Sequence, residues 1–302
     1  MPEKIKLTFL GTASAVPTAK RNHIAVLLNY GVENILFDCG EGTQRQFRKA
    51  HLNPCKLTKI LITHWHGDHV LGLPGLFQTL ALNGYKKTLE IYGPVGTKRF
   101  VKNLLDTFVF VEKLEMRVTE IEKDCKFLEG KDFFIEAKHV KHGTKCLAYN
   151  FVQKGELRID KKKISKFKIS PGVHLAELKK GKDIVYEKKK YKFKDLTFKE
   201  VDKKISFVMD TAYDKSIGKF VEGADVLISE ASFLKELESE AKDYKHLTAE
   251  QAGKIAKEGH VKKLILVHLS QRYENNLKDV EAEARKVFKN SDAVKDLDSL
   301  VV

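Results

Sequence analysis

Thr63-His64-Trp65-His66-Gly67-Asp68-His69 packs three histidines and one aspartate into positions 64–69. The apolar run Lys59-Ile60-Leu61-Ile62 precedes it, and Val70-Leu71-Gly72-Leu73-Pro74-Gly75-Leu76 follows. A short β-rich run that ends in imidazoles and a carboxylate reads as a strand delivering metal ligands to its C-terminal lip. Neutral imidazole beside carboxylate suits zinc, iron or manganese, with room for two ions. No cysteine sits in the cluster, so a thiolate-closed structural zinc site is not expected, and an open, catalytic site is.

Working outward, the same pattern recurs. Phe133 to His139 reads as a strand, and His142 comes just past its end. Ile205 to Met209 runs into Asp210, a candidate metal bridge, and Lys263 to Val267 ends at His268. Independent strands that each finish on a ligand-type residue place chemistry at one lip of an open α/β sheet. Asp38 also ends a strand, Ile35 to Phe37. It reads either as a carboxylate orienting a ligand imidazole or as an acid at a helix start. Thr248 suits the N-cap of a helix over Ala249 to Glu258, and helical character is also expected over Gln44 to Leu52, Leu71 to Leu82, Val95 to Phe108 and Leu277 to Phe288.

Charge narrows the partner. The chain has 302 residues and 42% hydrophobic content, enough for a real core. It carries 55 Lys plus Arg against 41 Asp plus Glu, a formal net charge of +14. From Phe151 to Glu200 there are 15 Lys and one Arg against seven acidic residues, a net +9. An even lysine background would not concentrate charge this way. The excess predicts a dedicated patch for a polyanion, with nucleic acid first. Apolar residues interspersed among the lysines predict a small folded arm rather than a tail. No run is long enough for a membrane span, and the Met1 to Leu10 stretch has no signal-peptide pattern. Cys39, Cys55, Cys125 and Cys146 are scattered, as expected of free thiols in a reducing cytoplasm.

With these residues in view, the order His-x-His-x-Asp-His, His142, Asp210, His268 resembles the metallo-β-lactamase superfamily. Gly11-Thr12-Ala13-Ser14, the Pro17 to Asn22 loop, Phe37-Asp38-Cys39-Gly40-Glu41-Gly42-Thr43-Gln44-Arg45-Gln46, Gly72 to Leu76, His246-Leu247-Thr248 and His268-Leu269-Ser270-Gln271-Arg272-Tyr273 are similar to the short-form ribonuclease Z family of tRNA 3′-processing endonucleases. The likeness spans nearly the whole chain. It implies an α/β fold, an αββα metallo-β-lactamase sandwich over residues 1–302, with a lysine-rich tRNA-binding arm inserted over 155–194. It implies two Zn²⁺ per subunit (Mn²⁺ or Fe²⁺ are the alternatives): one held by His64, His66 and His142, the other by Asp68, His69 and His268, and Asp210 bridging. It further implies precursor tRNA as substrate, a homodimer in which one subunit's arm serves the other's site, and a cytoplasmic location away from membranes.

The expected chemistry is hydrolysis of a phosphodiester, leaving a tRNA 3′-hydroxyl and a 5′-phosphorylated trailer. Asp68 is expected to accept the proton of the attacking water. His246, oriented by Glu230, is expected to contact the phosphate or to protonate the leaving 3′ oxygen. Lys20 and Arg21 are expected at backbone phosphate near the cut, and Lys179, Lys180 and Lys182 on the tRNA body. The sequence departs from the family in two places. Met209 stands where Gly usually precedes the bridging aspartate, and Ser229-Glu230-Ala231-Ser232 replaces a His-Glu-Ala-Thr-like stretch. The rival expectations are a small-molecule ester, thioester or lactone hydrolase of the same fold, or a non-catalytic RNA-binding protein.

Overall fold

A computed structural model describes residues 3–110 and 114–302. Met1 and Pro2, where the absence of a signal peptide was read, lie outside the described residues.

Two seven-stranded sheets organise the chain. The first runs Ser299–Val301, Lys6–Gly11, Ala25–Tyr30, Glu33–Phe37, Lys59–Leu61, Leu89–Pro94, Met116–Ile121. The second runs Ser291–Ala293, Leu264–Val267, Val226–Glu230, Lys203–Val208, Lys145–Gln153, Phe133–Lys141, Cys125–Glu129. In each sheet one half is parallel: Glu33–Phe37 through Met116–Ile121 in the first, and Lys203–Val208 through Ser291–Ala293 in the second. Parallel strands are covered on both faces, which is why they read as unbroken apolar runs such as Leu264–Val267.

The sheets meet face to face through aromatic side chains. Phe37 stacks on Phe207 with ring centroids 3.5 Å apart, and Tyr30 meets Phe151 edge-on at 5.5 Å. The outer face of the first sheet is covered by the helix Leu73–Leu82, whose Leu73, Leu76, Phe77 and Leu80 pack with Leu27, Leu36, Ile60 and Ile91. The outer face of the second is covered by Ala249–Glu258 and Leu277–Val287, through Ala252, Ile255, Val280 and Ala284. The result is an αββα sandwich, as the sequence implied. Thr248 caps its helix as expected, in a reciprocal box with Gln251.

The strand Cys125–Glu129 and the helices Lys215–Phe220 and Glu238–Tyr244 were not anticipated from the sequence. They are short and carry charge on most turns, so hydrophobic periodicity is weak in them.

The chain divides into two compact units, one of 1–128, 135–151 and 204–302, the other of 129–134 and 152–203. The second unit is longer than the 155–194 stretch read from lysine density, because strand Leu157–Ile159 pairs with Thr197–Lys199, beyond that stretch. It has its own small core of Ile169, Leu178, Ile184 and Leu196, so it is a folded arm rather than a tail.

Candidate metal centre

His64 and His66 lie on the turn after the strand Lys59–Leu61, and Asp68 and His69 lie on the short helix Gly67–Val70, ahead of the helix Leu73–Leu82. That segment is pinned to the neighbouring strand end: Cys39 N donates to His69 O at 2.7 Å and Gly72 N to Cys39 O at 2.9 Å. A Cβ on Gly72 would run into the Gly40 carbonyl, so the approach requires glycine there. His142 follows the strand Phe133–Lys141, Asp210 lies two residues past Lys203–Val208, and His268 follows Leu264–Val267. All of these strands therefore do deliver their ligand-type residues to one lip.

The seven expected ligands converge in two of the three side-chain clusters that could hold a metal, and the third joins Asp210 and His268 to Glu230 and His246. In the first, His66 Nδ1 lies 3.0 Å from His64 Nε2 and 3.1 Å from His142 Nε2, and both Nε2 atoms lie 3.6 Å from Asp210 Oδ2. In the second, His268 Nε2 lies 3.1 Å from Asp68 Oδ2 and 3.2 Å from His69 Nε2; Asp210 Oδ1 lies 3.4 and 3.3 Å from the Nε2 atoms of His69 and His268. Ligands placed about 2.0–2.1 Å from a tetrahedral zinc sit roughly 3.3 Å from one another, so both groups have the right span. Asp210 is 2% exposed, and its Oδ1 has no partner within hydrogen-bonding geometry among the described residues. A buried carboxylate oxygen without a donor carries a large desolvation cost unless a cation meets it. The donor set thus fits divalent metal, with one Asp210 oxygen turned to each group.

The back sides of the imidazoles fix which nitrogen faces inward. His69 Nδ1 donates to Asp38 Oδ2 at 2.7 Å, and Asp38 also accepts from Thr63 N at 2.7 Å and Thr63 Oγ1 at 2.8 Å. Asp38 is therefore the orienting carboxylate, not a helix-start acid. His142 Nδ1 donates to the Lys245 carbonyl at 3.1 Å. His268 Nδ1 meets Ser232 Oγ at 2.9 Å, and Ser232 Oγ donates to Glu230 Oε2 at 2.7 Å. Each contact holds the proton on Nδ1 and leaves the Nε2 lone pair for a metal. Ser232 and Thr63 were given no role from the sequence; their one signal was position, two residues after Glu230 and one before His64.

Without a cation the site's charges lean on one another. Burial drops the His64 imidazole well below its ordinary value. Burial acts the same way on His69, but Asp210 and Asp38 outweigh it and raise that imidazole. Burial would raise Asp68 and Asp210, yet the imidazoles of His268 and His69 hold both well below the usual carboxylate range. A bound dication would take over that pairing and leave the imidazoles neutral.

His246 borders the cluster. Its Nδ1 lies 2.9 Å from Glu230 Oε2 and 3.8 Å from Asp210 Oδ2, and its ring centroid is 5.1 Å from that of His142. Burial opposes its protonation, but Glu230 pushes its pKa up to about 9. Glu230 is fully buried, and Oε1 accepts from Thr211 N at 2.8 Å. Both Glu230 oxygens thus accept hydrogen bonds, Oε1 from Thr211 and Oε2 from Ser232 and His246. Ser229 lies inside the strand Val226–Glu230, fully buried, away from any ligand role.

The cations expected at phosphate are less uniform. Lys20 is exposed, with Nζ on Asn275 Oδ1 at 3.0 Å. Arg21 departs from expectation: it is 3% exposed, and its guanidinium donates to Thr12 Oγ1 and to the Val294 carbonyl. A buried guanidinium holding two chain segments is not a surface cation waiting for phosphate. In the second unit Lys179, Lys180 and Lys182 are not buried, and the last two pair with Glu177 at 2.8 and 3.2 Å.

The sandwich and its lip of histidines and aspartates define a metallo-β-lactamase-type domain. The family model described as "Beta-lactamase superfamily domain" matches residues 33–269. Ribonuclease Z of Bacillus cereus is 36% identical over 99% of both chains. Ribonuclease Z of Bacillus thuringiensis is 34% identical over 99% of both. The crystal structure of human tRNase Z, short form, superposes with a TM-score of 0.69 at 27% identity and covers 98% of both chains. The chain belongs to the ribonuclease Z family.

Proposed function

We propose that this chain is a two-zinc endoribonuclease that removes the 3′ trailer from precursor tRNA. The observation that carries the reading is Asp210, a buried carboxylate with one oxygen toward each of two imidazole-rich groups. His64, His66 and His142 would hold one ion, Asp68, His69 and His268 the other, with Asp210 shared. Bound there, two divalent ions would supply hydroxide near neutral pH and offset charge on the phosphoryl oxygens.

The chain's own residues do the rest. Asp68, partly exposed at the edge of the cluster, takes the proton of the attacking water. His246, whose protonated form Glu230 favours, would donate to the leaving 3′ oxygen. Glu230 holds the ring in place through Nδ1, so the proton available to substrate is on Nε2. Lys20 is the exposed cation for backbone phosphate. The lysines of the inserted arm, residues 155–194 at its densest, bind the folded tRNA by charge, which suits A-form RNA read by shape. Among the described residues no helix is long and apolar enough to cross a membrane. A cytoplasmic homodimer in which each arm serves the partner's site is the assembly that fits this work.

A decisive experiment incubates the protein with an unprocessed tRNA carrying a 3′ trailer and maps the cut. One endonucleolytic cut leaving a 3′-hydroxyl, lost on chelation and restored by zinc, is expected. An intact precursor under metal-replete conditions would overturn the reading.

A further inference from the structure

Beside His246 lies a group of side chains that the chemistry above does not use. Phe233 and Tyr244 have ring planes within 4° of each other and centroids 6.5 Å apart. Phe233 lies 6.0 Å from the His246 ring, and the Arg272 guanidinium carbon lies 5.6 Å from the Phe233 centroid. Tyr244 is 66% exposed, and its phenol has no hydrogen-bond partner among the described residues. Arg272 is exposed and makes no ion pair among the described residues.

These side chains are held rigidly to the catalytic segments. Phe233 N donates to Leu247 O, and Ala249 N to Phe233 O at 2.9 Å, so Phe233 is stitched to the segment Leu247–Ala249 that follows His246. Tyr244 ends the helix Glu238–Tyr244, two residues before His246. Arg272 follows His268 on a short turn, and its neighbour Tyr273 accepts Leu234 N through its phenol at 3.0 Å. A tyrosine this exposed adds little to the core. Two near-parallel aromatic faces and an unpaired guanidinium are instead what binds a base with a free π-face and its adjoining phosphate.

We propose that Phe233, Tyr244 and Arg272 form a stacking subsite for one unpaired nucleobase next to the scissile phosphate. The inference rests on the endoribonuclease reading and deepens it. Paired RNA offers no free base face, whereas the single-stranded segment at the cut does. The subsite would hold that segment so that the phosphate meets the metal centre and His246 together. It reads no base edge, so it accepts any base at that position.

The test is a cycle between protein and substrate. Precursor tRNAs carrying an abasic nucleotide at each position flanking the cut are cleaved by wild type, Tyr244→Ala and Tyr244→Phe. Tyr244→Ala is expected to lower kcat/KM about 5- to 150-fold, chiefly through KM, with bound zinc unchanged and Tyr244→Phe near wild type. At one flanking position the abasic substrate should cost wild type the same factor and cost Tyr244→Ala nothing more. Wild-type cleavage by Tyr244→Ala, or losses that multiply at every position, would overturn the subsite. Failure of wild type to cut the unmodified precursor sinks the endoribonuclease reading instead. The subsite is then tested with a short single-stranded oligonucleotide bearing 2-aminopurine. Fluorescence quenching by wild type and not by Tyr244→Ala supports it, and no quenching by wild type overturns it.

Discussion

Asp38→Asn separates orientation of a ligand from supply of one. Asp38 is 1% exposed and adopts φ 54°, a left-handed conformation that asparagine tolerates nearly as well as aspartate. The backbone should therefore survive the change. Asp38 Oδ1 accepts Thr63 N, and an asparagine carbonyl can keep that bond. Oδ2 accepts both Thr63 Oγ1 and His69 Nδ1. An amide NH₂ in that place can be met by a rotated Thr63 hydroxyl, but it opposes the His69 Nδ1 proton with another donor. The cheapest escape moves the His69 proton to Nε2, the atom that faces Asp68, Asp210 and His268. Losing such an orienting carboxylate typically costs 10- to 100-fold in metal affinity, about 1.4–2.7 kcal/mol. The loss should fall on one ion of the pair, because His64, His66 and His142 do not touch Asp38 directly. Competition against a chromogenic chelator, with metal counted by mass spectrometry, reads this as one site weakened and one kept. Two ions held at wild-type affinity in a folded Asp38→Asn protein would refute the reasoning.

Three further outcomes follow from the same geometry. Asp210→Ala should abolish cleavage and lower bound metal below that of Asp38→Asn, since both groups lose a shared oxygen; full activity would remove the bridging role. His246→Ala should slow turnover about 10²- to 10⁴-fold with metal content unchanged, as expected of a proton donor; loss of metal in direct binding measurements would make it structural. Replacing Lys179, Lys180 and Lys182 by alanine should raise KM for precursor tRNA and flatten its salt dependence, with little change on a small phosphodiester. An equal effect on both substrates would deny the arm a docking role.

The charge of the arm illustrates what composition alone can tell. Its net excess was countable, but its extent was not, because the pairing of Leu157–Ile159 with Thr197–Lys199 is nonlocal. Arg21 illustrates the opposite error. In a polar loop beside Lys20 it reads as a surface cation, and only the segment around Val294, more than 270 positions away, buries it. Asp38 had two equally good local explanations, and a 2.7 Å contact with His69 chose between them.

What the sequence by itself determined is the set of strand ends. Strands that each run into a His or Asp mark the reactive lip, and the resemblance of those motifs to a known family implied the sandwich. That information is local, written in consecutive residues. The tertiary structure alone decided which ligand atoms face each other, which nitrogen of each imidazole points inward, and that Asp210 lies between two groups. Those facts depend on contacts between residues as much as 200 positions apart, such as His268 and Asp68. No local pattern encodes them, because only the packed strands bring such residues within bonding distance.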